Sequence, residues 1–331
     1  MRIPNPVLIR APAARWSIYL LVIFFVGYHF GSALLYAGPT NGFDLGGALV
    51  PQADIHPGGP PRDGIPAIDH PRFVDAGRAD FLAPDDRVLG VDRHGIRRAY
   101  PVRILNYHEI VNDRFGDEAV VVTYCPLCGT GMAFLAEVEG RPRSFGVSGL
   151  LYKSDMLLYD RETQSLWSQL RRQAISGPSR GALLRQIVLE HTTWADWSRR
   201  FPDTRVLSTR TGYRRDYSVS PYPGYARSDA VYFPVGAIDR RYHPKEQVIG
   251  VTLNGVHKAY PFAELSKAPG FVRDRVGGRA IRVFYDAGHR TGRVLGEDGG
   301  VLPSTIAYWF AWTAFHPGTL VWQAPQGTSS P

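Results

Sequence analysis

Apolar and polar residues alternate along "RVLGVDRHGIRRAYPVRIL" (87–105), and the alternation breaks once, at His94-Gly95. Period-two patterning around such a pair predicts two strands joined by a tight turn. The pattern returns in "QVIGVTLNGVHKAYPFAEL" (247–265) at an offset of 160, with Asn254-Gly255 at the turn, a pair suited to the positive φ angles of hairpin turns. Pro101 and Pro261 then suit the first turn of a short helix. A second hairpin is predicted next, turning near Arg114-Phe115-Gly116, with "AVVVTY" as its buried return strand. Here "VNDRFGDEAVVVTYC" (111–125) matches "VRDRVGGRAIRVFYD" (272–286) at an offset of 161. "WADWSRRFPDTRV" (194–206) matches "WFAWTAFHPGTLV" (309–321) at an offset of 115, each reading as a helix that ends before proline and leads into a strand.

Three blocks recurring in one order imply an internal duplication. The fall in offset from 161 to 115 gives the first copy 46 extra residues, placed between Cys128 and Trp194. The expected fold class is α+β and β-rich: a duplicated, pseudo-symmetric two-lobe domain of hairpins with short helices, preceded by one N-terminal transmembrane helix. The lobes are assigned to 85–210 and 246–331, with a connector over 211–245.

Ahead of them the pattern changes. Residues 1–15 are basic, with Arg2, Arg10 and Arg15 and no acid, and 16–38 form an apolar run whose only ionisable side chain besides tyrosine is His29. Such a run is long enough to span a bilayer at roughly 20 residues per crossing. Positive charge before it predicts a cytoplasmic N-terminus and a body outside, periplasmic or extracellular. A signal peptide cut near Tyr36-Ala37-Gly38 is the alternative, which Leu35 fits poorly. Residues 39–84 are dense in Pro and Gly and read as a tether, its later part, "IPAIDHPRFVDAGRADFL", resting against the body.

The compartment bears on the two cysteines, Cys125 and Cys128, because outside the cytoplasm a pair can persist as a disulfide. Cys125 follows the return strand of the second hairpin, whose far end begins near position 108. His108 is therefore expected beside the pair. At the offset of 161, "YCPLC" becomes "YDAGH", so Asp286 and His289 occupy the equivalent loop. Close packing of the two loops would gather His108, Cys125, Cys128, Asp286 and His289 around one transition-metal ion, zinc, copper or iron. Glycines and a further hairpin follow the pair, so the helix that activates a thioredoxin-type thiol is missing. A zinc ribbon would need a second Cys pair, and the chain has none.

The extra segment, "FGVSGLLYKSDMLLYDRETQSLWSQL", is dense in polar chemistry. Ser148, Asp160, Arg161 and Gln169 are its candidate binding residues, with Tyr222 from the aromatic connector. The net charge of +8 comes almost wholly from arginine, but the arginines are scattered among acids, which argues for a solvated surface and against nucleic acid. An anionic lipid or wall polymer, or another envelope component, is the partner class that remains. No nucleophile elbow, zincin helix, phosphate loop or dinucleotide fingerprint occurs.

"IPAIDHPRFV", "HEIVND", "YCPLCGTGMAF", "FGVSGLLYKSDMLLYDRETQSLWSQ" and "YPGY" resemble a bacterial family of exported or membrane-anchored proteins catalogued as a domain of unknown function. The resemblance runs from about Asp63 to the C-terminus and is most specific in the first copy. It implies a fold unit and a set of residues, His108, Cys125, Cys128, Asp160 and Arg161, and no activity. Three readings stand: a metal site, with or without redox chemistry; a non-catalytic envelope scaffold with a Cys125–Cys128 disulfide; and an enzyme using Asp160 as acid or base and Arg161 as an anion clamp.

Overall fold

At the two hairpin turns the backbone does what the sequence requires. His94 and Gly95 take φ of 53° and 75°, and Asn254 and Gly255 take 49° and 76°, the left-handed pair of a type I′ turn. The strands they join, Arg87–Arg93 with Ile96–Pro101 and Gln247–Leu253 with Val256–Pro261, pair in the same register: Val88 opposite Pro101, Val248 opposite Pro261. The computed structural model describes residues 40–268 and 270–325.

Each repeated segment supplies two sheets. In the first copy one sheet runs, in spatial order, Glu190–Thr193, Arg87–Arg93, Ile96–Pro101, Arg205–Leu207, Phe73–Asp75. The other, hereafter the cysteine sheet, runs Gln186–Ile187, Thr130–Leu135, Glu118–Cys125, Ile110–Phe115. In the second copy the first sheet is Thr305–Tyr308, Gln247–Leu253, Val256–Pro261, Leu320–Val321, and the second is Phe271–Val276, Arg279–Asp286, Thr291–Leu295, Val301–Leu302. The fifth sheet runs Ile55–Pro57, Phe145–Tyr152, Asp155–Asp160, Leu166–Ser168, Gln173–Ser176.

These five sheets form a five-bladed β-propeller arrangement, which corrects the expected two-lobe α+β domain. The physical reason lies in the 46 extra residues. They do not decorate a lobe; they build a sheet of their own, closed at one edge by Ile55–Pro57 pairing with Leu150, Leu151 and Tyr152. Helix is scarce: Val102–His108, Trp194–Arg200, Phe262–Leu265 and Trp309–Phe315 are each seven residues or fewer.

The Pro/Gly-rich stretch expected as a tether is packed where it is described. Phe43, Leu45, Val50 and Ile55 are buried against Leu150, Leu157, Tyr159 and Ile175 of the fifth sheet. The expected single-pass anchor, with the body outside, finds no support in the described residues. Among the described residues no helix is long and apolar enough to cross a membrane, and the run over 16–38 lies outside them.

Two close approaches fix how each helix seats on its sheet. A Cβ on Gly90 would stand 2.2 Å from the Trp197 ring, and one on Gly250 would stand 2.2 Å from the Trp312 ring. Only glycine admits the indole at those points. Each indole N–H then finds a threonine hydroxyl, Trp197 to Thr204 at 2.9 Å and Trp312 to Thr319 at 3.0 Å, as a buried indole should. Tyr100 donates to Asp113 and Tyr260 to Asp274 in the same way, with Arg98 and Lys258 completing the respective ion pairs.

Candidate metal centre

The loop that carries the cysteines is held from three sides. Cys125 ends its strand opposite Thr130, which opens the next. Gly129, at φ 60°, turns the chain over the Tyr308 ring, where a side chain would meet the ring within 2.7 Å. The Tyr308 amide donates to the Cys128 carbonyl at 2.8 Å, and the Tyr225 hydroxyl donates to the Leu127 carbonyl at 3.1 Å. The second copy and the connector thus pin the loop.

The fifth sheet closes it from the third side. Lys153 and Ser154 take φ of 52° and 63° in the turn between strands Phe145–Tyr152 and Asp155–Asp160. That turn sets the Ser154 carbonyl 3.4 Å from Cys128 Sγ and 3.9 Å from Cys125 Sγ, and Asp155 Oδ1 3.7 Å from Cys128 Sγ. Asp155 Oδ2 accepts from the Leu170 amide at 3.0 Å and from the Ser168 hydroxyl at 3.3 Å. Ligand atoms of Cys125, Cys128 and Asp155 all lie within 4.8 Å of one another, and all three residues are buried.

Burial dominates the electrostatics. It lifts the Asp155 carboxyl to about 7, against the pull of its hydrogen bonds from Leu170, Ser168 and Cys128. It pushes the Cys128 thiol well up, reinforced by Cys125 and Asp155. It lifts Glu109 to about 8, with Asp155 adding to the effect, and Tyr308 to about 12. Lys245 is driven down to about 8 by burial, against the opposing pull of Cys128 and Asp229. Its ammonium lies 3.9 Å from the Tyr225 ring centre and 5.0 Å from that of Phe310. Near the cluster, Ser154 Oγ and Gln169 Oε1 find no partner among the described residues.

The residues read from sequence divide. Cys125 and Cys128 come together, as free thiols and not as a disulfide. His108 does not join them: its ring is buried between the Pro66 carbonyl at 2.8 Å and the Tyr217 hydroxyl at 2.7 Å. The residue that meets the end of the cysteine strand is Glu109, whose carbonyl accepts from the Tyr124 amide at 2.7 Å. The strand begins one residue later than expected, because His108 still belongs to the helix Val102–His108. Asp286 caps its own turn, accepting from the Gly288 and His289 amides at 2.9 and 3.3 Å. His289 Nδ1 bonds the Thr193 hydroxyl at 2.8 Å, so neither belongs to the three-residue cluster.

Ser148 sits at a register shift in its strand, its hydroxyl 2.5 Å from the Leu157 carbonyl. Asp160 accepts from the Thr163 amide, the Thr163 hydroxyl and the Trp167 indole. That occupation makes it a turn cap and leaves it little freedom as an acid or base. Arg161 pairs with Asp69 at 2.8 Å. Gln169 donates to Thr123 Oγ1 at 2.8 Å, beneath the cysteine strand. Tyr222, half-buried, has its phenol pushed well up by burial, with Glu109 and Cys125 contributing. Sequence reasoning missed Asp155, Glu109, Tyr225, Lys245 and Tyr308. One signal was available: Lys245 is one of only four lysines in a chain that otherwise uses arginine.

A sequence profile of the family described as "Protein of unknown function (DUF3179)" matches residues 62–298. The chain belongs to this family. The DUF3179 match takes in Glu109, Cys125, Cys128, Asp155 and Lys245 and ends before Tyr308. No curated protein and no solved structure matches the chain.

Proposed function

We propose that this DUF3179 protein binds one transition-metal ion between Cys125 Sγ, Cys128 Sγ and a carboxylate oxygen of Asp155. The observation that carries the reading is the approach of these three ligand atoms to within 4.8 Å in a fully buried setting. Ionised groups so close together in a buried setting repel one another, and burial raises both the Asp155 carboxyl and the Cys128 thiol in the bare cluster. A divalent cation replaces their protons and turns the repulsion into ligation. Thiolate with carboxylate suits zinc or ferrous iron, and thiolate alone suits cuprous copper. Lys245 stands ready to offset residual negative charge at Cys128.

The test is a metal analysis of protein purified without chelators, with a count of reactive thiols before and after metal removal. One equivalent of metal is expected, and metal should slow thiol modification beyond the protection that burial of Cys125 and Cys128 already gives. Cobalt(II) substitution should add thiolate-to-metal charge-transfer bands, lost in Cys125→Ser and weakened in Asp155→Asn. Protein that takes up no zinc, iron, copper or cobalt under reducing conditions would end this reading.

A further inference from the structure

A second site lies outside the cysteine cluster, where the fifth sheet, the cysteine sheet and the second copy's first sheet meet. A cavity of about 20 Å³ opens there, lined among others by Arg172, Gln186, Thr252, Thr305, Trp312 and His316. Its charge is one-sided. The Arg172 guanidinium is half-buried, and among the described residues its one side-chain hydrogen bond is a long one, 3.5 Å from Nη1 to Gln186 Oε1. Its pKa is depressed by burial, with no acid acting against the shift.

The His316 ring lies between Trp312 and His257, with ring centres 4.1 Å apart on each side. Among the described residues it makes no side-chain hydrogen bond. His257 is anchored through Nδ1 to the Thr252 hydroxyl at 2.9 Å. Both imidazoles are held neutral by burial first; Arg172 lowers both, and His257 lowers His316.

Histidine can shed its charge in such a place and arginine cannot, because guanidinium stays protonated in proteins. A buried cation without a counter-charge is costly. Glutamine and threonine dipoles solvate it only in part, and Gln186 Nε2 is already committed to the Ser304 carbonyl at 3.0 Å. For a half-buried guanidinium, an anion from solution would offset the part of that cost that water does not. The space guides its size: about 20 Å³ is on the scale of one water-sized particle, which suits a monatomic anion better than a tetrahedral oxyanion.

We propose that this cavity is a halide site, in which chloride is held by the Arg172 guanidinium and an N–H of His316. It is distinct from the metal cluster, although Leu170 lines the cavity and its amide also holds Asp155.

Two measurements test it. Crystals grown in bromide should show an anomalous peak within hydrogen-bond distance of Arg172. In solution, chloride should raise the melting temperature saturably relative to gluconate at equal ionic strength, as a ligand of the native state does. Arg172→Gln should lose the peak and weaken halide binding by about tenfold or more, as expected for a lost charged hydrogen bond. His316→Phe keeps the ring stack and removes the N–H, so it should fold and still weaken halide binding. The proposal is overturned by an ordered water with no bromide at that position. It is equally overturned if the wild type and a folded His316→Phe respond identically to chloride.

Discussion

"YCPLC" and "YDAGH" end the same hairpin at the same register, Cys125 opposite Thr130 and Asp286 opposite Thr291. Yet the first loop is a buried cluster and the second a partly exposed turn, capped by Asp286 and held to the first copy by Arg87 and Thr193. What separates them is the fifth sheet. In the first copy it covers the outer face of the hairpin: Asn112 donates to the Phe145 carbonyl, and Gln169 donates to Thr123. At the equivalent positions of the second copy stand Arg273 and Phe284, and nearby Phe271 is 50% exposed. The hairpin is therefore a neutral scaffold, and chemistry arises where a cover removes water and brings Asp155 down onto the loop. Four experiments would break or sharpen that contrast.

The largest effect should come from exchanging one residue between the two outer faces. Val121 is wholly buried beneath the fifth sheet, while Val120 and Val122 serve the inner core. Its counterpart is Arg282, at the same place in the second hairpin. Val121→Arg buries an unpaired charge and should cost above about 5 kcal/mol, beyond the ordinary range of point mutants. Arg282→Val should change stability by no more than about 0.5 kcal/mol. Urea denaturation of both variants reads the difference; comparable losses would mean that the two faces are equally covered.

Next come the features the copies share. Trp197→Ala and Trp312→Ala each empty the space over a glycine and forfeit a hydrogen bond to threonine. Both should lose about 3–5 kcal/mol, and the two values should agree within about 1 kcal/mol. A wide gap in melting temperature would show that the first sheets of the two copies are not packed alike.

These contrasts mark how far the sequence can be read. Asn254-Gly255 announces its turn because the conformation demanded is local, and the tryptophan blocks announce their helices for the same reason. The arrangement of five sheets is not written locally, since "FGVSGLLYKSD" reads as strand and turn whatever it lies against. Asp155 is visible as a polar residue in that turn, but nothing within the segment says which hairpin the turn will cover. His108 misled because a single helical residue decides whether it or Glu109 meets the cysteine strand. Pro and Gly between 40 and 84 argue against regular structure, and they say nothing about Phe43 and Ile55 finding a core.

A smaller effect separates the loops by pH. A metal bound as proposed must displace the proton from Asp155 below about pH 7, the value to which burial lifts that carboxyl, as well as protons from the thiols. Affinity should rise with pH throughout, and more steeply below about pH 7 by roughly one further decade per pH unit. Asp155→Asn should weaken binding and remove that extra steepness. For the metal-free fold the sign is opposite. A carboxyl whose folded pKa lies above its unfolded value withdraws stability as pH rises from about 4, the ordinary carboxylate value, to about 7. Metal titrations at several pH values check the first claim; an equal slope on both sides of pH 7 would remove Asp155 from the ligand set.

The smallest effect is expected at the second loop itself. Among the described residues, the Asp286 and His289 side chains bond their own turn and the Thr193 hydroxyl, while Arg87 holds the His289 carbonyl. Losing such partly exposed hydrogen bonds costs about 0.5–1 kcal/mol. Asp286→Ala with His289→Ala should therefore lower stability slightly while metal content, thiol protection and the cobalt spectrum stay unchanged. The measurement bears directly on the contrast between the copies, because histidine and aspartate are better zinc ligands than most loop residues. If the double variant loses metal while remaining folded, the two loops share an ion, and the fifth sheet is not what makes the site.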